Sequence, residues 1–218
     1  MSGSPEPRAV LPRVFVATDG RERLPAPRGP VTGILLRDTD LATLVTVAES
    51  GRPLLAVDLD SIEGMNADIA AARFVTGRLG FEIVATRRPA LARWIADQGT
   101  IALLHVLSFD STGLGRSLET HPRAGVGTLI SPGPVLAHLA PADLAALAPP
   151  VVAYGLIESP DAARRLLEIA DSVVVSPECA TAILGVGEAF TSSAGQSASS
   201  NPDAEGPRRR AEAHGVAG

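Results

Sequence analysis

The sequence predicts an α/β fold, a small closed barrel of eight parallel strands, on three observations. Eight short apolar runs lie along the chain, most of them followed by a segment of helical spacing. The chain is 45% hydrophobic but only 3% aromatic, so its core must be Val, Leu, Ile and Ala, which suits strands buried on both faces. After the first strand, TDGRERLPAPRG (18–29) lacks the G-x-G-x-x-G turn that an open doubly wound sheet would carry there.

The elements follow in order. MSGSPEPRA (1–9) reads as disordered. RVFVAT (13–18) is the first strand, and the Pro- and Arg-rich DGRERLPAPRGP (19–30) an irregular loop. VTGILLR (31–37) is the second strand, and Asp38 opens a helix to about Ser50. RPLLAVDLD (52–60) is the third strand, and NADIAAARFVTGRLG (66–80) a helix stopped by Gly80. FEIVAT (81–86) and RPALARWIADQG (88–99) form the fourth strand and its helix. TIALLHVL (100–107) is the fifth strand, followed by TGLGRSLETH (112–121), at best a short helix. GVGTLIS (125–131) and PADLAALA (141–148) are the sixth pair. PVVAYGLIESPDAARRLLEIADSVVVSPECATAIL (150–184) supplies the last two strands and helices. From 185 the chain is rich in Ser, Gly, Ala and Pro without period, the composition of a segment that buries too little surface to offset its ordering entropy. The expected organisation is therefore a disordered N-terminus (1–9), a small TIM-like (β/α)8 barrel (10–184) with full helices missing after strands one and five, and a disordered tail (185–218).

Composition excludes several classes. The net charge is −5, and residues 31–184 carry 11 Arg against 17 acids, which argues against strong non-specific nucleic-acid binding. There is no Lys, so any cationic work falls to Arg. The available patches are Arg87, Arg88 and Arg93, or the five Arg among residues 8–28. Arg208-Arg209-Arg210 reads as a solvated charge run. Cys179 is alone, so neither an internal disulfide nor a Cys-held zinc is expected. No apolar stretch reaches about 18 residues and the N-terminus lacks a signal layout, so the cytoplasm is the expected compartment and no membrane span is expected.

Chemistry in a parallel barrel gathers at the C-terminal ends of the strands. Those ends carry Arg37 and Asp38; Asp58 and Asp60; Thr86, Arg87 and Arg88; His105, Asp110 and Ser111; Ser131 to Gly133; Tyr154 and Gly155; and Ser176. Asp58 and Asp60 alternate along their strand and so should share a face. They would bind hydroxyls, hold Mg2+ or act as acid and base, or else pair with Arg37, Arg87 or Arg88. No catalytic triad, G-x-S-x-G elbow or P-loop is present, so no nucleophile can be nominated. Ser159-Pro160-Asp161 and Ser176-Pro177-Glu178 each open a helix after a buried strand. Two readings stand: a phosphate cradle after strands seven and eight, or two capped helices. The acids favour the second, because they suit a helix N-terminus but repel phosphate.

Seven short motifs in one register resemble the glycerol-3-phosphate-responsive antiterminator family. They are Leu11-Pro12, DSIEGMNAD (60–68), IVATR (83–87), LSFDS (107–111), SPG (131–133), AYGLI (153–157) and VVS (174–176). The resemblance implies a TIM-like regulator without catalysis or cofactor. It would bind glycerol 3-phosphate and act on the leader mRNA of glycerol-catabolism genes. Carried over by position, the ligand-side residues are Asp60, Thr86, Arg87, Asp110, Gly133, Gly155 and Ser176. Five features depart from the family pattern: Asp58 replaces a His, His105 an Arg, Leu129 a Glu, Tyr154 the first glycine of a pair, and VVSPECATAIL the final T-S with its downstream Trp. These changes add an acid and remove a base beside an anion site. The alternative is a barrel lyase, isomerase or phosphodiesterase acting on a small phosphorylated metabolite through Asp58, Asp60 and His105.

Overall fold

The computed structural model describes residues 11–21, 32–51, 54–108 and 110–183. The expectations for 1–9 and 185–218, and most of the loop after the first strand, lie outside these residues. Eight strands close into a parallel barrel in chain order: β1 (Val14–Thr18), β2 (Thr32–Leu36), β3 (Leu55–Asp58), β4 (Ile83–Thr86), β5 (Ile101–Leu107), β6 (Val126–Ser131), β7 (Val151–Tyr154) and β8 (Ser172–Val175). Pairing of β1 with β8, Val14 opposite Val173, completes the ring. Around it run α1 (Leu41–Glu49), α2 (Ile69–Arg73), α3 (Pro89–Asp97), α4 (Ser111–Thr120), α5 (Pro141–Ala146), α6 (Pro160–Leu166) and α7 (Pro177–Ile183).

Side chains alternate along each strand, so one set fills the barrel and the other faces the helices. Phe15, Leu35, Ala56, Ile83, Leu103, Leu129, Val152 and Val174 pack inside. They leave a gap of only about 10 Å³. The larger outer core joins Ile34, Leu36, Val57, Val84, Val106, Ile130 and Val173 to helix residues such as Leu44, Ala72, Ile95, Leu118 and Ala163. Two glycines allow close packing at the N-terminal end of the barrel strands. A Cβ on Gly127 would sit 2.6 Å from the Pro150 carbonyl oxygen, and one on Gly33 would sit 2.7 Å from the Phe15 ring.

The sequence reading needs four corrections. The third strand ends at Asp58, and Leu59–Ser61 form a 3-10 turn, so Asp58 and Asp60 are not strand neighbours on one face. The helix expected over 66–80 is α2 followed by a π-helical segment, Phe74–Arg78. There the Thr76 hydroxyl bonds back to the Ala72 carbonyl, and Gly77 adds no helix propensity. The segment expected to hold at most a short helix is α4, ten residues long. Asp110 caps it, and Leu114 and Leu118 bury one face on the barrel, which outweighs two poor helix formers, Gly113 and Gly115. After β6 the chain makes a 3-10 segment, Gly133–His138, before α5, which is shorter than expected.

Candidate ligand-binding site

A cavity of about 390 Å³ opens at the C-terminal mouth of the barrel. Its wall obeys a parity rule. Adding two to the interior residues Leu35, Ala56, Ala85, Leu103, Leu129 and Val152 gives Arg37, Asp58, Arg87, His105, Ser131 and Tyr154. All six line the cavity. Each is one strand layer above the apolar filling, so the barrel's own alternation aims them inward. Asp38, Asp60, Ser61 and Leu107 complete the lining.

Asp60 is the structural carboxylate of the mouth. It accepts the Thr86 hydroxyl at 2.7 Å and the Arg87 backbone N–H at 2.7 Å through Oδ2, and Arg88 Nε at 3.4 Å through Oδ1. Through Oδ2 it fixes the turn that presents Arg87. Ser61 ties the neighbouring loop: its hydroxyl donates to the Asp58 carbonyl at 2.8 Å and accepts the Asp38 N–H at 3.0 Å. That clamp holds Asp38 at a φ of 51°, with its carboxylate 2.9 Å from Arg37 Nη2.

Asp58 is the opposite case. Its side chain is only 6% exposed, and Oδ1 has no hydrogen-bond partner among the described residues. Its other oxygen lies 3.8 Å from His105 Nδ1, beyond a hydrogen bond. Both ring nitrogens of His105 and the Nε of Arg37 are likewise buried without partners among the described residues. Burial first, and then the Asp60 charge, push the Asp58 carboxyl up to about 6. Burial, helped by Arg87 and Arg37, holds His105 down to about 4. Tyr154 meets His105 edge-on, with ring centres 5.7 Å apart, and carries the Arg37 guanidinium 4.8 Å above its face. The ring is thus a wall of the cavity.

Of the residues nominated from sequence, Asp60 and Arg87 line the cavity and Thr86 stands behind Asp60, fully buried. Gly133 and Gly155 clasp the loops after β6 and β7 through a backbone hydrogen bond of 3.1 Å, Gly133 N–H to Gly155 carbonyl. Gly155 has φ +75°, and a Cβ there would crowd Ser131 Oγ at 3.1 Å. Asp110 caps α4 by accepting the Gly113 N–H, and Ser176 caps α7 by accepting the Cys179 N–H. Neither lines the cavity. Ser159 caps α6 in the same way, through Ala162, and Asp161 pairs with Arg164. In both Ser-Pro-acid openings the serine therefore caps its helix. Arg37, Ser131 and Tyr154 stood among the polar strand ends without being nominated as ligand residues; parity with the apolar interior is the signal that selects them. Among the described residues no group of three or more His, Cys, Asp or Glu is placed to hold a metal ion, and no helix is long and apolar enough to cross a membrane.

Fold and site together define a class: a small (β/α)8 barrel with a polar cavity, furnished by two arginines, at the C-terminal mouth of its strands. The family model of the glycerol-3-phosphate responsive antiterminators matches residues 29–178, and the chain belongs to this family of regulators. The match spans every quoted motif except Leu11-Pro12. No curated protein sequence matches the chain. Among crystal structures, the fold is similar to a glycerol uptake operon antiterminator-related protein from Thermotoga maritima MSB8, with 22% identity, TM-score 0.61, and coverage of 77% of this chain and 96% of that one. It is also similar to the glycerol uptake operon antiterminator regulatory protein from Listeria monocytogenes, with 17% identity, TM-score 0.62, and coverage of 76% and 92%.

Proposed function

We propose that this protein is a ligand-responsive transcription antiterminator of glycerol-metabolism genes. It binds glycerol 3-phosphate, or a closely related phosphorylated ligand, in the mouth cavity. It then acts on leader mRNA in the cytoplasm, without catalysing a reaction. The observation that carries this reading is the presence of Arg37 and Arg87 in one cavity of a chain from this family. Two guanidiniums facing one space suit a phosphate dianion. In this reading Arg87 meets the phosphate, while Asp60 and Thr86 hold its loop. Gly133 and Gly155 let the loops after β6 and β7 close beside the ligand, and Asp110 and Ser176 act at the rim through the helices they cap.

The test is calorimetric titration of the purified protein with glycerol 3-phosphate, paired with transcription across a glycerol-operon leader terminator in vitro. Saturable binding and ligand-dependent read-through are expected. Absence of binding at millimolar ligand refutes the ligand, and unchanged termination in its presence refutes the action on RNA.

A second reading, a barrel enzyme on a small phosphorylated metabolite, draws on Asp58 and His105. Their displaced pKa values in a cavity are a pattern shared with acid–base sites. Turnover of glycerol 3-phosphate or a related phosphate ester, followed by phosphorus NMR, separates the two.

A further inference from the structure

The mouth cavity contains four buried polar atoms without partners among the described residues: Asp58 Oδ1, His105 Nδ1 and Nε2, and Arg37 Nε. Leaving such atoms unpaired is costly, and native interiors rarely tolerate even one. Here they cluster on one side of the mouth, just past β2, at the end of β3 and on β5, and all three residues line the same cavity. We infer that Asp58 and His105 form a hydroxyl-reading subsite at the floor of the cavity, which takes the uncharged polyol end of the ligand and sets its specificity. This rests on the phosphorylated-ligand reading above and adds the ligand's orientation and the residues that select it.

The polarity of the floor decides the orientation. An ionised carboxylate only accepts hydrogen bonds, and a phosphate dianion has no proton to give, so Asp58 and a phosphate repel one another. A hydroxyl does both: it donates to Asp58 Oδ1 and accepts from a ring N–H. His105 is held neutral at pH 7 by burial, so its ring offers one donor and one acceptor. One hydroxyl of a polyol can therefore satisfy Asp58 Oδ1 and the nearer His105 nitrogen together; the other ring nitrogen points away and is left to a different partner. The anionic end is left to Arg37 and Arg87. The tight walls support discrimination: the Asp58 and His105 side chains are 6% and 7% exposed, so a ligand lacking hydroxyls strands buried groups that water reaches poorly.

The experiment measures affinities by calorimetry for glycerol 3-phosphate, 2-hydroxyethyl phosphate, propyl phosphate and inorganic phosphate. It uses the full-length protein, then Asp58→Asn and His105→Phe. The wild-type protein should prefer glycerol 3-phosphate to propyl phosphate by at least about tenfold, the scale of a buried hydrogen bond to a charged group. 2-Hydroxyethyl phosphate should fall between them. In both variants the ratio should collapse towards 1. Equal wild-type affinities for glycerol 3-phosphate and propyl phosphate overturn the subsite while leaving a phosphate-binding cavity. A wild-type preference that survives in both variants overturns the assignment to these residues. No binding of any of the four overturns the subsite and the ligand reading together. The wild-type series does not depend on either variant folding.

Discussion

Arg37, just past β2, lays its guanidinium over the ring of Tyr154, at the end of β7, with 4.8 Å to the ring centre. Two strands that share no hydrogen bonds thus meet across the mouth of the barrel. The ring and the Asp38 carboxylate, 2.9 Å from Nη2, together hold Arg37 in this pose. The same ring wedges against His105 from the side.

Removing that platform should loosen Arg37. Tyr154→Ala is expected to weaken phosphate-ester binding by roughly three- to thirtyfold, the range of a cation–π contact partly shielded from water. Tyr154→Phe, which retains the ring face, should stay within about threefold of the parent. Calorimetric titration of both variants provides the comparison, and an improved affinity in Tyr154→Ala would mean that the ring obstructs the ligand.

Asp60 has a structural signature. Thr86→Val removes one of its donors while conserving shape, and should cost about 1 kcal/mol in urea denaturation. Asp60→Ala leaves the Thr86 hydroxyl and the Arg87 N–H without their acceptor, and should cost about 2–4 kcal/mol. A loss below about 0.5 kcal/mol for Asp60→Ala would show that the turn stands without it.

The pH dependence of stability should reveal two opposed titrations. Asp58 is raised from 3.8 to about 6, so as pH climbs from about 4 to 6 the unfolded chain loses this proton first and stability falls. His105 is lowered from 6.5 to about 4, so over about 4 to 6.5 the unfolded chain holds the extra proton and stability rises with pH. Each is worth roughly 3 kcal/mol over its window, and in the parent they largely cancel. His105→Gln should therefore lose stability from pH 4 to 6 relative to the parent, and Asp58→Asn should gain it. Denaturant midpoints at four pH values suffice, and parallel profiles for all three proteins would contradict the scheme.

Gly127→Ala tests the packing at the N-terminal end of β6. Its new methyl would meet a backbone oxygen 2.6 Å away and Leu103 at 2.9 Å. Backbone cannot swing aside as a side chain can, so a loss of about 2–4 kcal/mol, or failure to accumulate folded protein, is expected. Gly64→Ala has open space around the new methyl, and its φ of +81° supplies only local strain. It should cost about 1 kcal/mol. Thermal melts of the pair distinguish crowding from backbone preference.

The barrel was legible because each strand is a short aliphatic run bounded by polar residues, a pattern that survives even when helix signals are poor. What escaped was local. Gly113 and Gly115 hid α4, because its stability comes from burying Leu114 and Leu118, not from propensity. Thr76 and Gly77 gave no notice that the second helix widens into a π-helical segment. At the site, family register selected Asp60, Thr86 and Arg87, and these hang together as one hydrogen-bonded corner. It did not nominate Arg37 or Ser131 and marked Tyr154 only as a departure, although counting two residues beyond Leu35, Leu129 and Val152 reaches all three. Asp110 and Ser176 were chosen by position, and they are helix caps. A cap and a ligand contact use the same residue types at strand ends, so only the direction of the side chain separates them.

Asp58 and Asp60 stand two residues apart, yet Asp60 takes three donors from the next strand's end while Asp58 Oδ1 has no partner among the described residues. Scaffold and reader are thus carried by separate residues. A lineage can exchange the group at position 58, and its counterpart at 105, while the corner built on Asp60 stays untouched. Such a barrel can drift from one small metabolite to another in few mutational steps, retaining the same architecture throughout.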